Sequence, residues 1–494
     1  MSQLKSVINN STILLAGSII NRLFEIICIL LLTYYLDFSV FGYYRTIFAY
    51  FALWALVIDL GVYGIVLREG SRNREMADDY LANSYAIGTI TIIGVIGASY
   101  VTLNYLTDFP NEVKNLYWYG VLSIVASSRF KSFRKLFEIL FYIDLKASYP
   151  ALFNILDRLL FMGCLYIFVS QSHSLSQAVL FAALVDFVGY FLLLSVYIKK
   201  YGKPRLRFNI NRWKFLLSES WPTFLSAFVN VLNIKISQLI ATALVTDTAL
   251  TTLSFASLIA ESLGFIPVAI TIPAFTILSQ KYVRNPDGFF NLFRIMIKYL
   301  LLFVIPIVVF IYFEIDEIMA LGVSLFLNES YLQSVPVAKI LIFSQIFLFV
   351  LTGLNVALIS SNNQKQSLII FSITALSNIV LNMLLIPRYD IFGAAYAVVI
   401  SYGLFIIIGL IISRIRRFSY IIIKTAIRPV AAGILLGLIL TASDTNMWIS
   451  FILTILLYPC LLYVLKELKK EDFELIYEVR PTRFIRWLIE RDKK

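Results

Sequence analysis

LSQAVLFAALVDFVGYFLLLSVYIKKYGKPRLRFNINRWK, residues 175–214, joins an apolar block to a basic loop. Residues 175–198 are nearly free of charge. About 20 such residues cross the 30 Å hydrocarbon core of a bilayer as a helix. The next sixteen positions, 199–214, carry Lys199, Lys200, Lys203, Arg205, Arg207, Arg212 and Lys214, and no acid. A long apolar stretch that ends in a run of cations reads as a transmembrane helix emerging on the cytoplasmic side.

Thirteen further blocks read the same way. The expected spans are 12–36, 41–66, 80–106, 115–141, 147–170, 175–198, 215–244, 251–278, 290–313, 332–359, 367–387, 391–413, 425–442 and 447–465. The whole chain agrees: 60% of its residues are hydrophobic and 15% charged, against about a quarter charged in soluble domains. The expected fold class is therefore an all-α polytopic membrane protein with about 14 transmembrane helices. The first block is longer than a signal-peptide core and holds charges, so it reads as a span.

With the N-terminus inside, the short inner loops receive Lys5, Arg68, Arg72, Arg74, the seven cations of 199–214, Lys281, Arg284, Lys365, Arg414, Arg416, Arg417 and Lys424. The outer turns receive Lys114 and Arg388, and are otherwise acidic: Asp108, Glu112, Asp247, Glu314, Asp316, Glu317 and Glu329. Both termini are thus expected in the cytoplasm, with the chain in the cell (plasma or inner) membrane. The net charge of +12 marks the inner membrane surface and gives no case for a nucleic-acid partner.

The basic loop divides the first twelve spans into parallel halves, a repeat arrangement found in transporters. The expected organisation is an N-terminal six-helix lobe (1–198), a cytoplasmic linker (199–214), a C-terminal six-helix lobe (215–413), two additional helices (414–465) and a basic cytoplasmic tail (466–494). Phe484, Trp487 and Leu488 share one helical face of that tail, which suits either a helix lying on an anionic leaflet or a short helix packed on the loops.

Nine charges sit deep in spans: Arg22, Glu25, Asp59, Arg129, Asp157, Arg158, Asp186, Lys235 and Glu261. Each costs about 2.5–3.5 kcal/mol at the bilayer centre on insertion scales, so they must face one another or a wet cavity. Structural pairing is one reading; Arg22 and Glu25 have the i, i+3 spacing for it. A substrate cavity lined by Arg22, Arg129, Arg158 and Lys235 is the other, with Glu25, Asp59, Asp186 and Glu261 as candidate coupling acids. Asn21, Asn154, Asn230, Asn233, Gln238, Asn378 and Asn382 suit either sugar hydroxyls or helix–helix hydrogen bonds. Span four carries Arg129, Lys131, Arg134 and Lys135, and emergence of its inner half into the cytoplasm is the plain alternative for them. Pro267 and Pro273 should bend span eight.

Cys28, Cys164 and Cys460 lie far apart in apolar blocks, and His173 is the only histidine. Neither a disulfide framework nor a metal site is expected. With no phosphate-binding glycine loop and no catalytic constellation, the chain is expected to be no enzyme and to need no cofactor.

SNIVLNMLLIPRYDIFGAAYAVVISY, residues 377–402, resembles the eleventh and twelfth helices of Wzx-type exporters. These are O-antigen and capsule-unit flippases of the multidrug/oligosaccharidyl-lipid/polysaccharide superfamily. The outer turn Leu36–Gly42, the Asp59-Leu60-Gly61 run followed by Arg68, and Pro222 early in span seven fit as well. The resemblance covers roughly residues 10–420. It implies a V-shaped pair of six-helix lobes alternating its opening. It also implies a polyprenyl-diphosphate-linked oligosaccharide as substrate, with membrane lipids and polysaccharide assembly proteins as partners. Many relatives have an acid about where Lys235 stands, which speaks against cation coupling there. A drug or small-molecule antiporter of the same superfamily and a membrane polysaccharide polymerase are the alternatives. The basic excess disfavours the first, and the short outer segments the second.

A reporter fused after Arg207 should read cytoplasmic and one fused after Glu317 external; the reverse at either site overturns the topology.

Overall fold

The computed structural model describes residues 2–468 apart from 131, 145, 147, 326, 413, 414, 444 and 445. Most described residues are helical and none is in a strand. In chain order the helices are α1 (Ser2–Tyr35), α2 (Phe38–Asp59), α3 (Val62–Arg72), α4 (Arg74–Val101), α5 (Asn111–Asn115), α6 (Tyr117–Ala126), α7 (Arg134–Ile143), α8 (Ser148–Cys164), the one-turn α9 (Ser170–Ser172), α10 (Leu175–Tyr201), α11 (Ile210–Leu244), α12 (Asp247–Glu261), α13 (Phe265–Arg284), α14 (Pro286–Leu325), α15 (Val335–Ser360), α16 (Gln364–Ile411), α17 (Arg416–Ser443) and α18 (Met447–Val464). Single π-helical turns extend α4 (Thr102–Leu106) and α8 (Leu165–Val169).

Eleven helical stretches are long and apolar enough to cross a membrane by length and composition. The 48 residues of α16 are one of them, and they hold two of the expected spans. A straight helix of that length would run about 72 Å, more than twice the hydrocarbon core. It breaks at Asp390 (φ 51°, ψ −139°), between the spans 367–387 and 391–413. All fourteen expected spans fall on helix.

Three spans are interrupted, span two among them at the Leu60–Gly61 corner between α2 and α3. Span four divides into α6 and α7 across residues 127–133. There the Ser127 hydroxyl accepts from the Arg129 amide and the Ser132 hydroxyl donates to the Ser127 carbonyl. Serine side chains that bond nearby backbone offer it an alternative to the helical ladder, and three of them stand within six residues here. Helix α7 does not emerge into solvent. Leu136, Phe137, Ile139, Leu140 and Phe141 are buried in a core shared with α3, α4 and α10. Span eight passes through a 3₁₀ turn at Ser262–Gly264, one turn ahead of Pro267.

Contacts group the chain into two compact units. The first takes the residues up to Ile259 with Gly322–Leu341 and Gln364–Phe405. In it the basic linker is tied down. Asp79 on α4 holds Arg207 at 2.7 Å and Arg212 at 3.0 Å, the Arg207 amide donates to the Ala82 carbonyl, and the Asn209 amide donates to Asn83. Arg68 pairs with Glu219 and Arg74 with Asp144, both at 2.9 Å. A polar seam joins α2, α11, α12 and α16. Gln238 bridges Thr46 and Ser254, Asn378 donates to Asn233, and Asn382 donates to Ser237. These four amides are thus engaged in helix–helix hydrogen bonds, the second of their two readings.

The second unit takes Ala260–Leu321, Ile342–Asn363 and the residues from Ile406 on. Phe418 of α17 sits among Phe289, Phe290 and Phe293 of α14, and Tyr458 of α18 donates to the Pro429 carbonyl. The tail face Phe484, Trp487 and Leu488 lies outside the described residues.

The corner between α2 and α3 needs glycine. Leu60 and Gly61 are both left-handed, at φ 47° and 74°. A Cβ on Gly61 would stand 2.8 Å from the Ser220 carbonyl oxygen and 2.9 Å from the Phe224 nitrogen of α11, and backbone atoms cannot rotate aside. Gly61→Ala should therefore lose about 2–4 kcal/mol, from the left-handed cost and the overlap together. Thermal melting of the purified protein should show a clear drop. Gly64→Ala, in open space one turn on, should melt at or above the wild-type temperature, because alanine favours helix.

Candidate functional site

Five helices of the first unit converge on a group of charges. Helix α1 carries Arg22, Glu25 and Cys28, three apart and so on one face. Arg22 binds Glu25 at 2.9 Å, and the two side chains remain 28% and 32% exposed. Cys28 donates to the Arg158 carbonyl at 3.6 Å, which seats α1 on α8.

The break between α6 and α7 turns Arg129 sideways. Its guanidinium lies 5.1 Å from the Phe48 ring centre and 5.0 Å from that of Phe161, and it donates to the Tyr44 hydroxyl at 3.4 Å. Aromatic faces stabilise a cation by about 0.5–2 kcal/mol without occupying its hydrogen-bonding edge. Such contacts position a guanidinium for an anion.

On α8, Asp157 and Arg158 are neighbours, so they point about 100° apart. Asp157 faces Arg134 of α7 at 2.6 Å, and both are essentially unexposed, at 2% and 0%. Gly189 of α10 makes room: a Cβ there would overlap the Asp157 carboxylate. Asn154 accepts from Arg134, and Glu138 lies 4.0 Å from it. Glu138 also holds Lys135 at 2.9 Å and the Tyr142 hydroxyl at 3.1 Å. Arg158 is 5% exposed, and among the described residues its buried Nε makes no hydrogen bond. It lies within electrostatic reach of Arg129, Glu25 and Asp186. Arg129 in turn feels Asp186, which accepts from Ser123 at 3.4 Å.

Arg22, Glu25, Arg129, Arg158 and Asp186 thus form one cluster. Its three guanidinium groups face two carboxylates and leave one positive charge in excess. Among the described residues, the buried Nε atoms of Arg129 and Arg158 make no hydrogen bond. A cation pair with unused donors in an apolar surrounding stabilises an anion, above all one that accepts two parallel bonds.

Three further sequence candidates are Asp59, Lys235 and Glu261. Asp59 ends α2 and accepts from the Tyr63 amide at 3.0 Å, at the α2–α3 corner. Lys235 is half-buried on α11, and Glu261 ends α12 in the second unit. Arg134, read from sequence as part of a solvated end, is fully buried, as is Glu138, which the sequence reading did not single out. Their i, i+4 spacing on an amphipathic segment was the available signal. No group of three potential ligands for a metal ion occurs among the described residues, and all three cysteines are free.

Residues 7–279 match the sequence model of a family described as polysaccharide biosynthesis protein. No curated protein matches the chain in sequence. Among solved structures, the fold is similar to the lipid II flippase MurJ in an inward closed conformation. The TM-score is 0.71 at 16% identity, covering 93% of this chain and 98% of that one. An inward-facing multidrug resistance MATE family transporter of the MOP superfamily follows at 0.65 and 14%, covering 81% and 95%. A MOP superfamily transporter from Pyrococcus furiosus, noted for the reversed polarity of its binding pocket, reaches 0.58 at 13%, covering 84% and 96%. The family match takes in more than half of the sequence, from α1 into α13, and the chain belongs to the polysaccharide biosynthesis protein family.

Proposed function

We propose that this chain carries a polyprenyl-diphosphate-linked oligosaccharide from the inner to the outer leaflet of the cell membrane, for assembly of a surface polysaccharide. The observation that carries the proposal is the excess of guanidinium charge around Arg129 and Arg158, with donor atoms unused. A diphosphate supplies the missing charge and accepts paired hydrogen bonds from a planar guanidinium. The family description and the likeness of fold to a lipid flippase support the same reading. Residues 1–198 and 215–413 act as the two lobes, 199–214 joins them on the cytoplasmic side, and 414–465 are an added helix pair.

Export of the diphosphate is aided by an inside-negative potential, by about 2.3 kcal/mol per charge for each 100 mV. Glu25 and Asp186 are the acids of the cluster, so a proton exchanged for substrate would be handled there. Transport should then respond to a pH gradient imposed at fixed potential, and Asp186→Asn should remove that response. A wild-type protein indifferent to the gradient leaves the potential and the substrate gradient as the drivers.

Flipping of defined lipid-linked glycans in liposomes tests the cation. Loss of a charge-assisted contact worth about 1.5–3 kcal/mol should lower transport roughly tenfold to a hundredfold in Arg158→Ala. Arg158→Lys should retain part of the activity and Arg158→Glu none. The Arg158→Glu/Glu25→Arg double reversal should return folded protein to the membrane without returning transport. Full recovery of transport would make Arg158 a structural partner only. Arg134→Ala should instead reduce the amount of folded protein, because a bared Asp157 costs about 3–5 kcal/mol.

A further inference from the structure

A second feature of the first unit lies outside the cationic cluster. A cavity of about 710 Å3 opens between α2, the π turn after α4, α11 and α16. Its wall is almost entirely apolar: Trp54 and Val57 from α2, Leu106 from the π turn, Phe228 and Ala243 from α11, and Met383 from α16. The hydroxyls at its edge are already used. Tyr50 donates to the Ser99 carbonyl, Thr102 to Ala98 and Thr107 to Leu103. An apolar cavity with no donors or acceptors to offer does not hold water.

One group at the edge is different. Asp108 is exposed, and nothing among the described residues pairs with its carboxylate. Lys114, the nearest cation in sequence, donates to the Asn104 carbonyl at 3.4 Å. Tyr105, Leu106 and Trp118 beside this turn are 75%, 74% and 64% exposed. Exposed tyrosine and tryptophan at the end of a span mark the headgroup level of a bilayer. The lining runs from Phe228 to Leu244 along α11, a rise of about 24 Å against about 15 Å for one leaflet. A crevice of that reach fits an extended chain and not a compact solute.

We propose that this cavity is a binding site for a bilayer phospholipid, with an acyl chain along α2 and α11 and an amine headgroup on Asp108. Charge decides the occupant: no cation lines the cavity, so an anionic headgroup or a diphosphate meets only repulsion, whereas an ammonium group finds an unpaired carboxylate at headgroup level. The π turn at Thr102–Leu106 widens the wall where the chain enters, and such bulges recur at functional sites. By the orientation of the basic loops, the entrance lies in the outer leaflet. The lining comes from both proposed lobes, 1–198 and 215–413, and the sign of the headgroup is what distinguishes this occupant from a transported diphosphate lipid.

The test uses the full chain, delipidated in detergent, with native mass spectrometry and photoactivatable acyl chains on phosphatidylethanolamine or phosphatidylglycerol. Retention of one phosphatidylethanolamine with about tenfold preference over phosphatidylglycerol is expected, the size of one charge-assisted contact. Crosslinks should fall within 50–57, 102–108, 228–244 or 383–387. Ala243→Trp should fill the cavity and lose the lipid. Asp108→Asn, at an exposed position that leaves the fold intact, should keep chain crosslinking and lose the headgroup preference. Equal or greater retention of phosphatidylglycerol, crosslinks elsewhere, no retained lipid, or a headgroup preference unchanged in Asp108→Asn each overturns the proposal.

Discussion

Arg134 and Asp157, 2.6 Å apart and shut away from solvent, hold the first unit in register. A lone charge in that setting is among the costliest things a helix bundle can contain. The guanidinium and the carboxylate tolerate their burial only because each supplies the other's charge. The contact requires α7 to lie against α8, and α10 to approach closely enough that residue 189 has no side chain. The break that ends α6 follows from the same demand. A continuous helix from 117 to 143 would fix both the height and the bearing of Arg134 by the helical repeat alone. The serine-rich segment 127–133 frees them.

The adjacency of Asp157 and Arg158 then acquires meaning. With the acid committed to α7, its neighbour is directed by helical geometry to the other side, toward α1 and the Arg129 loop. One residue step on α8 separates a neutralised pair from a cluster with charge to spare. Rigidity in the first supports readiness in the second. Arg158 is kept in place by a helix that cannot rotate without exposing Asp157, so it needs no carboxylate of its own to hold it.

Much of this was legible in the sequence, and the failures have physical causes. Span number follows from hydropathy, because lipid leaves the backbone no option but helix. The Arg22–Glu25 pair followed from spacing. The gap in span four did not, because the apolar residues on both sides of SSRFKSF carry the block across it and serine is ordinary in membrane helices. Arg134 was misread for a related reason: at the end of an apolar block a cation looks the same whether it enters water or turns inward to an acid from another helix. Only the tertiary partner separates the two cases. The amides of the α11–α16 seam were undecidable for the same reason, since Asn378 and Asn382 fit either role until Asn233 and Ser237 are seen beside them.

The linker contacts have a consequence in the order of synthesis. Asp79 emerges from the ribosome 133 residues before Arg212. At about 5–20 residues per second, that is a wait of roughly 7–27 s. Throughout it, the first three turns of α4 hold a carboxylate without its two cations and an Asn83 side chain without the amide it later receives. The first six spans are therefore translated as a set whose inner end stays unfastened. Completion is deferred until residues 207–212 fold back over α4, which ties the maturation of the first half to the arrival of the chain that begins the second.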